Sequence, residues 1–170
     1  MAEAVSLQVV LKLIGVMTQT TDLSSPGDSL NRDYTLTFGN GTGASQLNMW
    51  WHDQRTLGAS ATEDLDLAGS LTSVFGTTIT FTSLKGIVVY AAAANNAANN
   101  VNVTRPAAAG VTLFTAVSSG VSLEAGAAFM YMTPAANGKT VTGTTADLIT
   151  FTNSAGTNSV TYDVFLFGEV

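Results

Sequence analysis

The chain has 170 residues, 46% hydrophobic and 11% charged, with 16 Gly, 3 Pro and no Cys. That length fits one domain burying roughly 70% of its unfolded surface, and the missing cysteine excludes a disulfide framework, a thiolate metal site and a cysteine nucleophile. Six basic residues against twelve acidic ones give a net charge of -6, the wrong sign for gripping a phosphate backbone, so no nucleic-acid partner is expected.

The longest uncharged stretch, Gly86 to Val103, is broken by Asn95, Asn96, Asn99, Asn100 and Asn102 and predicts no membrane span. The start, Met1-Ala2-Glu3-Ala4, lacks the basic residues of a secretory signal, so a soluble, unexported chain is expected. A free monomer normally carries about 25–35% charge on its surface, so a partner is expected to cover part of this one.

In chain order, Ser6 to Val16 is the first strand signal, with Leu7, Val9, Leu11 and Leu13 on one face; Val9 to Val16 is expected inside the core. A loop from Thr18 to Arg32 precedes a period-2 strand, Tyr34 to Phe38, and Asn40-Gly41 marks a hairpin turn. Gln46 to Thr56 and Thr62 to Leu67 read as the next strands, and the spacing of Leu67, Leu71, Val74 and Phe75 predicts one short helical turn. Thr77 to Phe81 and Gly86 to Ala91 follow, the second apolar on both faces and therefore central.

Residues 91–100 are alanine-rich, but their Asn pairs favour a surface loop over a helix. Further strands are expected at Val101 to Thr104, Val111 to Ala116, Ala127 to Met132, Asp147 to Thr152 and Ser159 to Phe167. Many short strands with no strand-helix alternation predict an all-β antiparallel sandwich, specifically a jelly roll, as one domain over residues 1–170 with an amino-terminal arm at 1–5.

His52, Asp53 and Arg55 form the most enzyme-like cluster, but adjacent residues on a strand point to opposite faces. A structural histidine and an Asp53–Arg55 salt bridge are the better expectation. Glu63, Asp64 and Asp66 raise calcium, yet only Asp64 and Asp66 share a face and no calcium-loop glycine lies between them, so a strand-end cap or an acidic pair at an interface is preferred. There is no Gly-x-Ser-x-Gly elbow, and Gly39-Asn40-Gly41-Thr42-Gly43 lacks the Lys and helix of a phosphate loop. No catalytic residue, metal or cofactor is expected. Of Trp50 and Trp51 one faces inward and one outward, and an outward Trp marks an interface.

Thr62-Glu63-Asp64-Leu65-Asp66-Leu67-Ala68-Gly69, Ile79-Thr80-Phe81 and Val88-Val89 occur together with Val141-Thr142-Gly143-Thr144-Thr145-Ala146-Asp147-Leu148, Asn153-Ser154-Ala155-Gly156 and Val160-Thr161-Tyr162-Asp163-Val164. Across about residues 46–169 this set resembles a family of small virion-associated proteins of tailed bacteriophages. The resemblance implies a capsid decoration (cement) protein on the virion surface, without catalytic residues, whose partners are the major capsid protein and its own copies as a homotrimer. The chain departs from the family at Ser122-Leu123-Glu124-Ala125-Gly126 and in the Asn-rich segment 95–100. The other reading is a tail or fibre component that binds a receptor or carbohydrate through Trp50 or Trp51. Candidate contacts are Ala2, Glu3, Ala4, Trp50, Trp51, Asn95, Asn96, Asn99 and Asn100.

Overall fold

A computed structural model describes residues 4–170. Its strands in chain order are β1 (Leu7–Thr18), β2 (Gly27–Asn40), β3 (Gln46–Leu47), β4 (Met49–Leu57), β5 (Thr62–Asp66), β6 (Ala68–Thr72) and β7 (Thr78–Thr80). There follow β8 (Ser83–Ala91), β9 (Val101–Thr104), β10 (Gly120–Leu123), β11 (Ala128–Met132), β12 (Lys139–Thr140), β13 (Leu148–Asn153) and β14 (Val160–Glu169). No helix occurs among the described residues, so none crosses a membrane.

Two sheets form a β-sandwich. One has the order β11-β8-β14-β4, with β12 on the end of β8; the other has the order β10-β9-β13-β5. All their ladders are antiparallel. Alternation sets the inner faces: Val160, Tyr162, Val164 and Leu166 from β14 meet Val101, Val103, Ile149 and Phe151 of the other sheet, all buried. Phe151 and Tyr162 stack across the sandwich with centroids 4.7 Å apart and planes at 11°.

The first long strand is not in that core. Residues 7–18 of β1 pair with residues 27–38 of β2 in a two-stranded ribbon whose register runs unbroken from Leu7↔Phe38 to Thr18↔Gly27. Only its base is covered: Phe38 packs with Leu47 and Phe167, flanked by Leu7, Leu36, Val88 and Phe165. Beyond it Val10, Leu11, Leu13, Ile14, Val16 and Met17 are exposed, so the expected burial of Val9 to Val16 is overturned. The expected loop 18–32 is a loop over residues 19–26, closed by Gln19 N–H to Pro26 O at 3.0 Å, and the returning strand from residue 27 on.

Three other expectations are corrected. Asn40-Gly41 does not close a hairpin: β3 runs parallel to β2, with the Gln46 side chain accepting the Gly43 N–H at 2.8 Å inside the loop. Residues 67–75 form no helical turn, because β6 and β7 make a bulged hairpin whose turn is tied by Ser73 Oγ to the Phe75 and Thr77 N–H groups, each at 3.2 Å. Val111 to Ala116 is irregular, since the Arg105 guanidinium takes the carbonyls of Phe114 (3.3 Å) and Thr115 (3.0 Å). The strand beside β9 is instead β10, and its Gly120 lies so close to β9 that a Cβ would sit 2.1 Å from Val103 O.

Candidate functional site

Titratable groups gather first at the open edge of the sandwich. Asp53, Arg55 and Tyr162 share the inner face, because Arg55 lies opposite Tyr162 and Asp53 opposite Val164 in the β4–β14 ladder. Glu63 reaches them from β5. Arg55 Nε donates to Glu63 Oε1 (3.0 Å) and Oε2 (2.9 Å), Nη2 adds a bond to Oε2 (2.5 Å), and Tyr162 Oη donates to Oε1 (2.5 Å). Arg55 Nη1 also meets Asp53 Oδ2 at 3.0 Å, the salt bridge expected from the sequence.

Partial burial pushes the Glu63 carboxyl up, but the bonds from Arg55 and Tyr162 outweigh it and hold the group below its ordinary value. Burial first, and then the Glu63 carboxylate, push the Tyr162 phenol up. The Glu63 bond keeps Arg55 charged despite its desolvation. A general base works best with a pKa near the operating pH, and Glu63 is driven away from it. The cluster is an inter-sheet tie that joins β4 and β14 to β5.

The remaining polar candidates are also occupied. Asp64 accepts the hydroxyl of its cross-strand partner Thr150 at 2.5 Å and Asp66, at the end of β5, caps the Ala68 N–H at 2.8 Å, so the acidic run is split between a mid-ladder and a strand-end role. Among the described residues no three His, Cys, Asp or Glu side chains gather as a metal-binding group. A cleft of about 330 Å³ beside β4 is lined by His52, Asp53, Arg55, Asp64 and Ser70 among others. His52 itself turns to the outer face, edge-on to Trp50 (6.0 Å) and tilted on Phe165 (5.9 Å), away from Asp53.

Sequence reasoning missed Lys85. Its side chain is completely buried, and Nζ donates to Gly43 O and Gln46 O at 2.7 Å each while pairing with Glu169 Oε1 at 2.5 Å. It pins the loop leaving the β1–β2 ribbon to the sandwich. The sequence signal was a lone lysine opening the most apolar strand.

The proposed contact residues divide. Ala2 and Glu3 lie outside the described residues, and Ala4 is exposed. Trp50 is exposed on the outer face, whereas Trp51 is buried, with Nε1 bonded to Thr72 O at 3.2 Å. Asn95 is spent internally, its amide bonding both the N–H and the C=O of Thr161 at 2.8 Å. Asn99 is fully buried, donating to Asn158 O at 2.8 Å, which removes it from the surface. Asn100 Nδ2 donates to Ser122 Oγ at 3.1 Å; Asn96 is exposed and bonds the Ala98 N–H at 2.9 Å. Loop Asn residues therefore brace the turns that the sequence left as surface.

Two apolar surfaces remain unsatisfied. One is the part of the β11-β8-β14-β4 outer face that the ribbon base leaves open, where Trp50 at the end of the Phe167 row and Met130 at the end of the Phe165–Val88 row stay exposed. The other is the ribbon face formed by Leu11, Tyr34, Leu13, Leu30 and Met17. Comparison with protein families, curated proteins and solved structures finds no match for the chain.

Proposed function

We propose that the chain is a structural, non-catalytic virion protein of a tailed bacteriophage, a capsid decoration protein that binds and stabilises the head lattice. The observation that carries this reading is the contrast between a polar interior whose charged groups are bonded to one another and an apolar ribbon that leaves the body uncovered. An isolated two-stranded ribbon is marginal in water, so a ribbon of this length belongs against a partner. The family resemblance over residues 46–169 supplies the partner, the major capsid protein, and lattice symmetry makes many weak contacts additive.

The strand order supports the jelly-roll form of the sandwich. Counting β4, β5, β8, β9, β10, β11, β13 and β14 as strands one to eight, the two sheets run 1-8-3-6 and 2-7-4-5, the pairing that two nested Greek keys produce. Viral capsid domains use that architecture, an association of fold rather than of site.

The test is copy number and position on purified particles, by quantitative gel and by imaging of a labelled chain. Hundreds of copies on the head support the proposal. A few to tens of copies confined to the tail overturn it and favour the receptor- or carbohydrate-binding alternative, for which the exposed Trp50 beside His52 is the stacking candidate.

A further inference from the structure

We infer that two copies of this chain exchange their β1–β2 ribbons, each ribbon lying on the open outer face of the other copy's β11-β8-β14-β4 sheet. The inference goes beyond the proposed function and does not rest on it.

The contact chemistry is already present within one chain. At the base of the ribbon Leu7, Leu36 and Phe38 pack on Phe165, Phe167 and Val88 of the outer sheet face. The same ribbon face continues outward as Leu11 with Tyr34, Leu13 with Arg32, and Leu30, because residues paired directly across an antiparallel ladder share a face. It has left its own sheet there, and Tyr34 is 58% exposed. The sheet face is open at both of its edges, with Trp50 on β4 47% and Met130 on β11 43% exposed. Each chain therefore displays both halves of a contact that it completes only at the base.

Area decides the stoichiometry. From Val10↔Thr35 to Thr18↔Gly27 the free ribbon is about 30 Å long and about 10 Å wide, so one face offers about 300 Å². Two ribbons seated reciprocally remove about 1,200 Å² in total, at the threshold of a stable specific interface, whereas one ribbon per interface, as in a trimer, removes half of that.

Charge sets the alignment. Arg32 lies in the middle of the apolar ribbon face and bonds only the neighbouring Asn31 O, at 3.3 Å. On the sheet face Asp163 follows the Phe165 row and accepts only the amide of Gln54, at 2.9 Å. Neither has an oppositely charged partner among the described residues. With Leu11 and Tyr34 against Met130, the open end of the Phe165–Val88–Met130 row, the next ribbon row brings Arg32 to the Asp163 row, since both surfaces repeat every two residues. The opposite ribbon face is the natural control, because there Val10, Ile14 and Val16 stand against Thr35, Asn31 and Ser29.

Because the chain has no cysteine, the contact is tested by mixing two differently tagged full-length populations, Arg32→Cys and Asp163→Cys, under oxidation. The expected result is a covalent heterodimer, formed at least about tenfold more than with Ile14→Cys in place of Arg32→Cys, together with a dimer mass for the unmodified chain by sedimentation. Leu13→Glu should weaken the dimer by about 100-fold, as for a buried contact at the interface centre, while Val16→Glu leaves it within about threefold and both variants keep the wild-type circular dichroism spectrum. A monomeric or trimeric full chain, equal cross-linking from both ribbon faces, or a link formed only within a single Arg32→Cys/Asp163→Cys chain overturns the exchange. Any of these results leaves the particle location untouched, so failure here is separable from failure of the decoration reading.

Discussion

Replacing Lys85 by Met keeps most of the buried stem and removes the ammonium alone. Nζ donates to Gly43 O and Gln46 O and forms an ion pair with Glu169 Oε1, and the lysine side chain is fully buried. The substitution strands two carbonyls and a carboxylate that is itself only 12% exposed. Removing one partner of a buried pair costs about 3–5 kcal/mol, most of it from the charge left behind. For a chain of this size each kcal/mol lowers Tm by about 2–4 °C, so the melt should fall by about 6–20 °C. The assay is urea unfolding followed by tryptophan fluorescence at one fixed protein concentration, since self-association would make stability concentration-dependent. Glu169→Gln should recover part of the loss in the Lys85→Met background, because the orphaned charge is gone. A Lys85→Met cost below about 1 kcal/mol, or the same cost in both backgrounds, would refute the reasoning that the ion pair and the loop bonds act as one solvent-excluded unit.

Further outcomes follow from particular contacts. Glu63 has a lowered folded pKa, so its stabilisation is complete above the unfolded value of about 4.3 and is lost as pH falls through the folded value. The stability gap between the wild type and Glu63→Gln should therefore be constant from neutral pH down to about 5 and close on further acidification in a urea series; a gap that widens in acid contradicts the tie. In Gly168→Ala the new Cβ would sit 2.0 Å from Ser83 O, at the bulge where β14 shifts register against β8. Such overpacking should cost about 1–3 kcal/mol or more in thermal unfolding. Leu166→Ala, in a fully buried site, should cost about 2–5 kcal/mol, whereas Leu23→Ala, wholly exposed at the ribbon tip, should stay within about 0.5 kcal/mol in the same assay.

What the sequence made legible is what period-2 alternation encodes. Val160, Tyr162, Val164 and Leu166 were readable as one face, and so was the shared face of Asp53 and Arg55. Glu63 as the principal partner of Arg55 was not, because the contact crosses between sheets and depends on how β4 turns into β5. Lys85 was invisible for a related reason: its two carbonyl acceptors lie on the loop after β2 and its ion-pair partner at the end of β14, and no local pattern joins them. Residues 27–33 carried no strand signal, being mostly polar, yet they pair through the ribbon because β1 gives them a ladder. Val111 to Ala116 had the better strand composition and lost to Gly120–Leu123, since only glycine at 120 permits the close approach to β9.

The misplaced first strand is the most informative of these differences. Alternating apolar residues report that a face will be buried; they do not report by which molecule. A composition with 11% charge raised the expectation of cover from outside, and most of the large apolar side chains left exposed lie on the ribbon. The interior tells the same story from the other side. Where Arg55, Glu63, Tyr162 and Lys85 enter the sandwich they meet oppositely charged or hydrogen-bonding partners of their own chain, which fixes the two sheets and the root of the ribbon rigidly. A rigid root with an apolar blade beyond it is suited to presenting a preformed surface, so less ordering entropy is lost on contact than a disordered arm would lose. The proposed contacts draw on the outer faces, where apolar area stands open and Arg32 and Asp163 have no oppositely charged partner among the described residues.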